Sequence, residues 1–213
     1  MTTPPPTFLH PLLASWLRRK RWTPFPFQLE AWEAYARGED GLVNAPTGMG
    51  KTYSVWLGPV AEWLHANPDR SQWDVKNPAS TQVLWITPLR ALANDTLSAL
   101  RTPVEALKLP WTLDKRTGDT SASRKARQRH TLPTALIITP ESLSLLLTYP
   151  NTRQLLAGLQ CVVVDEWHEL LGNKRGTQTE LALARLRTWF PTMRTWGLSA
   201  TLGNLPLAMD VLT

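Results

Sequence analysis

Residues 45 to 52 read Ala45-Pro46-Thr47-Gly48-Met49-Gly50-Lys51-Thr52. Glycine at 48 and 50 lets backbone N–H groups close around phosphate oxygens where a helix begins. Lys51 then sets positive charge against the outer phosphates of a nucleotide, and the Thr52 hydroxyl has the chemistry of a Mg²⁺ ligand. The pattern is that of a phosphate-binding loop with alanine in place of its first glycine. It assigns Thr47, Gly48, Met49, Gly50, Lys51 and Thr52 to nucleotide binding.

A loop of this kind needs a carboxylate on a nearby strand to hold the metal, and the run Cys161-Val-Val-Val-Asp165-Glu166-Trp167-His168 supplies one. Asp165 has the position of the Mg²⁺ carboxylate, usually bound through water. Glu166 suits the general base that orients an attacking water. His168, with two ring nitrogens, is placed to link this site to neighbouring polar groups. Upstream, Trp22-Thr-Pro-Phe25-Pro-Phe27-Gln28 sets a carboxamide before a helix. An amide reads an adenine edge in a bidentate way, and Phe25 or else Trp22 offers a ring for stacking on the base. A helix start held only by apolar contacts is the plainer account of the same segment.

These residues need a scaffold that gathers strand ends. Apolar runs at 42–45, 82–87, 135–139, 161–165 and 195–199 read as strands without alternation. Helical stretches are expected at 28–37, 51–66, 89–100, 141–147 and 178–190, the last capped by Thr177 with Glu180 reaching back, followed by a short segment at 204–212. Residues 67–80 read as a polar surface excursion. Non-alternating strands separated by helices imply an α/β fold, a parallel sheet covered on both faces. Ligands bind such sheets beyond the carboxyl ends of the strands, and each polar motif falls just after a strand. Thr87-Pro88 and Thr139-Pro140 each follow a strand, with threonine suited to a cap and proline to the first helical position. Two helix starts on one edge would offer free N–H groups to two points of a phosphate backbone.

The chain has 213 residues, the size of one domain. It holds no run of about 18 apolar residues and so no membrane span. One cysteine, Cys161, excludes an internal disulfide, and its place in an apolar run makes it a core residue. With four histidines it makes no zinc spacing. The net charge is +6, from 23 basic and 17 acidic residues. The excess gathers at Arg101, Lys108, Lys115, Arg116, Arg124, Lys125, Arg127 and Arg129, either a solvated face or a polyanion surface. Eleven tryptophans, Trp32, Trp56, Trp63, Trp85 and Trp189 among them, are assigned to core packing.

APTGMGKT, DEWH and Ser199-Ala200-Thr201 resemble the first three motifs of superfamily 2 DExH helicases, and TPLRAL at 87–92, RTGDT at 116–120 and TPESL at 139–143 match companion segments. The longer run at 165–187 resembles the Lhr-type branch, in particular the bacterial ligase-associated DExH enzymes of DNA repair. The resemblance covers about residues 22–212. It implies a RecA-like P-loop NTPase domain at 22–213 behind an N-terminal segment at 1–21, with ATP and Mg²⁺ as cofactors. Lys51, Thr52, Asp165 and Glu166 would serve hydrolysis, and Gln28 would recognise adenine. Ser199 and Thr201 would couple the nucleotide site to domain movement. Thr87, Pro88, Arg90, Gly118, Asp119, Thr139 and Pro140 would line the DNA path. By charge alone, Arg90 and the basic stretch at 124–129, joined by Arg175, would add salt-dependent affinity without reading sequence.

Family members translocate 3′ to 5′ on single-stranded DNA, so single-stranded or partly duplex DNA is the expected partner, with RNA as the alternative. The resemblance also implies a ligase and a nuclease nearby and a cytoplasmic, nucleoid-associated bacterial protein. A motor of this type needs a second domain with an arginine finger, and the chain ends soon after Thr201. The expectation is a polypeptide cut short, binding ATP weakly, hydrolysing it very slowly and unwinding nothing alone. A binding module without efficient turnover is the remaining alternative.

Overall fold

The computed structural model describes residues 8–200 and 205–212. Its strands are β1 (Gly41–Asn44), β2 (Val83–Ile86), β3 (Leu113–Arg116), β4 (Ala135–Ile138), β5 (Cys161–Val164) and β6 (Arg194–Ser199). Among the described residues the α-helices are α1 (Pro11–Arg19), α2 (Pro26–Ala36), α3 (Lys51–Ala66), α4 (Leu92–Leu107), α5 (Ala122–Arg127), α6 (Pro140–Leu146), α7 (Thr152–Leu155), α8 (Lys174–Trp189) and α9 (Leu205–Leu212). The strands form one six-stranded sheet in the order β1-β6-β5-β2-β4-β3, and every neighbouring pair is parallel. This is the expected α/β sheet with helices on both faces.

The apolar strand runs are explained by burial on both sides. In β2, β4 and β5 every residue is buried. Alternate side chains enter separate cores. Val83, Trp85, Ile137, Cys161, Val163 and Trp196 pack with α1 to α4, whereas Leu84, Ile86, Leu136, Ile138, Val162 and Val164 pack with α6, α8 and Trp167. Each aliphatic side chain so buried contributes about 1.5–3 kcal/mol before ordering costs.

Besides the short helices α5 and α7, which the sequence did not foretell, four differences from its reading bear on the site. Helix α1 was not expected, and its Leu13, Trp16 and Leu17 join the same core as Trp56 and Leu57 of α3. Strand β3 was hidden because Asp114 and Lys115 interrupt its apolar pattern; it is an edge strand whose fully buried member is Arg116. Helix α8 begins at Lys174, not after Thr177. Asn173 caps it, its side-chain oxygen accepting from the N–H groups of Arg175 and Gly176. Gly176 is a tight point there, because a Cβ would run into the Leu170 carbonyl oxygen.

The fourth difference concerns Thr87-Pro88. Thr139 and Pro140 do sit at the start of α6. Thr87 and Pro88 do not start a helix, since α4 begins at Leu92. The Thr87 N–H stays in the sheet, donating to Ile138, and a turn from Leu89 to Leu92 intervenes. Only one of the two Thr-Pro pairs, Thr139-Pro140, starts a helix. Even there the Thr139 hydroxyl donates to Ser142 Oγ and accepts no backbone N–H.

Candidate functional site: a strand-end pocket beside a polar surface

The parallel register brings the motif loops to one end of the sheet. Ala45 N donates to Ser199 O, Asp165 N to Ile86 O, and Thr87 N to Ile138 O, so each motif begins where its neighbour's strand ends. The loop between β1 and α3 turns at Gly48 (φ +84°) and Gly50 (φ +77°), values open to glycine and strained for other residues. Lys51 is buried and folds its ammonium back onto the Ala45 carbonyl, Nζ to O 2.6 Å, crossing the loop it follows. Thr52 is half-buried in the first turn of α3.

Asp165 caps β5 on the face that packs against α3. Its Oδ1 accepts from the Glu166 N–H at 3.0 Å and its Oδ2 from the Trp85 indole N–H at 3.1 Å. Burial is the main force on this carboxyl and pushes its pKa up from 3.8 to about 6; the neighbouring Glu166 charge adds to the rise, while the Trp85 donor and Lys51 oppose it. Glu166 adopts a left-handed backbone, φ +46° and ψ +49°. A non-glycine residue there costs about 1–3 kcal/mol and clusters at working sites. Its Oε2 is buried without a hydrogen bond, 3.4 Å from His168 Nδ1. That nitrogen is 2.9 Å from Ser199 Oγ on the adjacent β6. His168 therefore joins the loop after β5 to the end of β6. Thr201 lies outside the described residues.

Gln28 is buried at the start of α2. Its Oε1 accepts from the Phe25 N–H at 2.9 Å and its Nε2 donates to the Gly50 carbonyl at 2.9 Å, tying the helix start to the phosphate loop. Each amide group keeps one further donor or acceptor direction. A cavity of about 480 Å³ opens between this segment and the loop, lined by Trp22, Phe25, Gln28, Gly48, Gly50 and Tyr53 among others. Phe25 and Trp22 are 43% and 44% exposed at its rim, Phe25 stacked on Phe27 and Trp22 packed against Trp16 and Tyr53. Sequence reasoning missed Arg21, which also lines the cavity and holds φ +56° after α1; only the unforeseen helix gives it that place.

Farther along the strand ends lies a polar surface. Thr87, Pro88, Thr139 and Pro140 are buried, so their side chains do not form it. Arg90, Gly118 and Asp119 do. Arg90 pairs with Asp119 at 3.4 Å and lies across Gly118, where a Cβ would meet the guanidinium carbon at 2.6 Å. Arg175 is not a free cation. It donates to the Pro88 carbonyl at 3.0 Å and pairs with Glu141 at 2.6 Å, bracing the two strand-end loops. In the basic stretch, Arg116 turns inward to Gln128 and the Lys125 carbonyl, and Arg124 pairs with Asp114. Arg127 and Arg129 remain exposed.

The donor set fits a Mg²⁺–nucleotide. Among the described residues no three His, Cys, Asp or Glu side chains form a metal cage. One carboxylate, one hydroxyl and an orphaned Glu166 oxygen suit instead a hydrated Mg²⁺ completed by phosphates and water. No helix of the described residues is long and apolar enough to cross a membrane.

Comparison with known proteins meets this geometry. The model of the DEAD/DEAH box helicases matches residues 25–207. The chain belongs to that family. The ATP-dependent helicase Lhr-Core of Methanothermobacter thermautotrophicus is 36% identical, over 93% of this chain and 24% of that protein. The Lhr helicase/uracil glycosylase of Escherichia coli is 33% identical, over 92% of this chain and 13% of that protein. The helicase domain thus spans about a quarter or less of the length of these relatives. The Mycobacterium smegmatis helicase Lhr, solved bound to single-stranded DNA and AMP-PNP, superimposes with a TM-score of 0.75 at 36% identity, covering 95% of this chain and 26% of that one. The RecA-like fold of this helicase domain is therefore established.

Proposed function

We propose that this helicase domain is the ATP-binding half of a motor that moves along single-stranded DNA. The observation that carries the reading is the meeting of three strand ends, with the Lys51 loop, Asp165 beside Glu166, and His168 bonded to Ser199. ATP would lie with its phosphates on the Gly48–Thr52 loop and its base in the Trp22–Phe25–Gln28 cavity. Thr52 and Asp165 would hold Mg²⁺, which supplies charge neutralisation for the phosphates. Lys51 would leave the Ala45 carbonyl to meet them. Glu166, strained and with a buried free oxygen, would take up the proton of an attacking water at Oε2. The His168–Ser199 bond would pass the state of this site to the end of β6, and Thr201 would extend that link.

Arg90, Gly118 and Asp119, with backbone N–H groups near Thr87, Pro88, Thr139 and Pro140, would form one side of the nucleic-acid path. DNA is favoured over RNA by the likeness to the Lhr enzymes, one of which was solved with single-stranded DNA. Movement from 3′ to 5′, work in DNA repair beside a ligase and a nuclease, and a place at the bacterial nucleoid follow from the same resemblance. Turnover by this domain alone is expected to be slow, because motors of this type take an arginine finger from a second domain.

The test compares Lys51→Ala and Glu166→Gln in a protein carrying both motor domains, with ATP binding and turnover measured separately. Loss of binding in the first, and loss of turnover with binding kept in the second, is expected. Unchanged turnover in Glu166→Gln removes it as the base. ATPase stimulated more by RNA than by single-stranded DNA reverses the substrate choice. Turnover in this chain as fast as in the two-domain protein removes the claim of dependence on a second domain.

A further inference from the structure

The sequence gives Trp85 no task beyond packing. It sits in the middle of β2, fully buried, in an apolar run. The register changes that assignment. Trp85 stands opposite Val163 of β5, and Asp165 lies two residues farther along the same strand. Side chains two apart on a strand share a face, so the indole and the carboxylate emerge on the α3 side together. The indole Nε1 reaches Asp165 Oδ2 at 3.1 Å.

An indole N–H is a donor only, with no lone pair to offer. It favours an acceptor, and most of all a charged one. The ring is locked by the core, so the donor is fixed in place before any ligand arrives. On the other side Asp165 Oδ1 takes the backbone N–H of Glu166. The two donors fix the plane of the carboxylate between β2 and the turn after β5. Each oxygen keeps a lone-pair direction for a further partner.

We propose that Trp85 is a positioning residue for the metal-binding carboxylate: its indole N–H holds Asp165 in the orientation that a Mg²⁺–nucleotide requires. This rests on the nucleotide reading of the site. Trp85 touches neither metal nor nucleotide and acts through Asp165. Its contribution is therefore seen in the part of nucleotide affinity that depends on Mg²⁺, and not in the part that does not.

The experiment measures binding of a fluorescent ATP analogue to the chain, once with Mg²⁺ and once with EDTA, for the native protein, Trp85→Phe and Trp56→Phe. Trp56 is an equally buried tryptophan whose N–H donates to the Leu100 carbonyl, which makes it a control for core damage. Native protein should bind more tightly with Mg²⁺. Trp85→Phe should lose about tenfold of that gain, the order of one hydrogen bond to a charged group, with its EDTA affinity within about twofold of native. Trp56→Phe should keep the gain. A full Mg²⁺ gain in Trp85→Phe overturns the proposal, as does an equal loss in Trp56→Phe. Absence of nucleotide binding in the native protein instead refutes the nucleotide reading itself.

A second readout needs no variant. In the nucleotide-saturated native protein, the Trp85 indole N–H resonance should shift when Mg²⁺ is added, while that of Trp56 stays in place. A Trp85 resonance that ignores Mg²⁺ overturns the proposal even where the phenylalanine variant fails to fold.

Discussion

Replacing Asp165 with asparagine should stabilise the free domain, although it removes the carboxylate proposed to hold Mg²⁺. Burial raises this carboxyl from 3.8 to about 6. The folded state thus prefers the neutral form, and each pH unit of that preference is worth about 1.4 kcal/mol. At pH 7 the ionised carboxylate costs the fold about 3 kcal/mol as an upper value. Asparagine is neutral and keeps an oxygen to accept the Trp85 N–H, so about 1–2 kcal/mol of net gain is expected after imperfect amide contacts. For a domain of this size that is about 3–6 °C in melting temperature. The sign follows from linkage. A carboxyl with a raised folded pKa is harmless below about pH 4, where both states are protonated. Its cost grows as pH rises toward 6 and is then constant. The assay is thermal melting of native protein and Asp165→Asn from pH 4 to 8, without nucleotide or divalent metal. The gap should open between pH 4 and 6. A variant no more stable than native at pH 7, or a gap that is largest at pH 4, refutes the reasoning.

Three further changes probe other parts of the site. Arg175→Ala removes the brace between the Pro88 carbonyl and Glu141; single-stranded DNA affinity should fall several-fold while the slope of log K against log salt stays within error, because no phosphate contact is lost. A slope reduced by about one would return Arg175 to direct phosphate contact. Gly118→Ala pushes a methyl against the Arg90 guanidinium; melting should change by no more than about 1 kcal/mol, as a flexible side-chain end gives way, while fluorescence-anisotropy titration shows weaker DNA binding. Gly176→Ala meets backbone instead, at Leu170, and should cost more than about 2 kcal/mol in chemical denaturation; a near-neutral result would mean that the start of α8 relaxes at little cost.

The legible parts of the sequence were those where one physical signal dominated. The runs at 82–87, 135–139 and 161–165 are buried on both faces, and their unbroken apolar character says so. The helix at 51–66 was found to its ends because Gly48 and Gly50 mark its start. Where two signals compete the reading failed. Thr87-Pro88 has the local chemistry of a helix start, but the sheet claims the Thr87 N–H, and Arg175, 87 residues away, claims the Pro88 carbonyl. Thr177 has the chemistry of a cap, but Asn173 offers the same chemistry one turn earlier. Trp85 shows a third kind of failure. Its partner Asp165 is set by strand order, with β2 beside β5, and no local pattern carries that order.

Strand order also decides how the site acts as one device. With β6 inserted between β1 and β5, Ser199 stands between the phosphate loop and the Asp165–Glu166 turn. The order therefore places a hydroxyl against His168, and not merely near it, at 2.9 Å. The same turn stores cost in two forms, a left-handed Glu166 and a carboxylate held against its preference for the neutral state. The second cost is relieved by the arrival of positive charge beside Asp165, which favours its ionised form. A ligand shifts a conformational equilibrium only by its differential affinity for the two states. A turn that is costly when empty and eased when filled provides that difference, and the His168–Ser199 bond connects it to β6. Ser199→Ala should then leave Mg²⁺–nucleotide affinity within about threefold, because its hydroxyl is bonded to His168. In a protein with both motor domains it should uncouple the ATPase from stimulation by single-stranded DNA. Full DNA stimulation in that variant would show that the signal leaves the turn by another route.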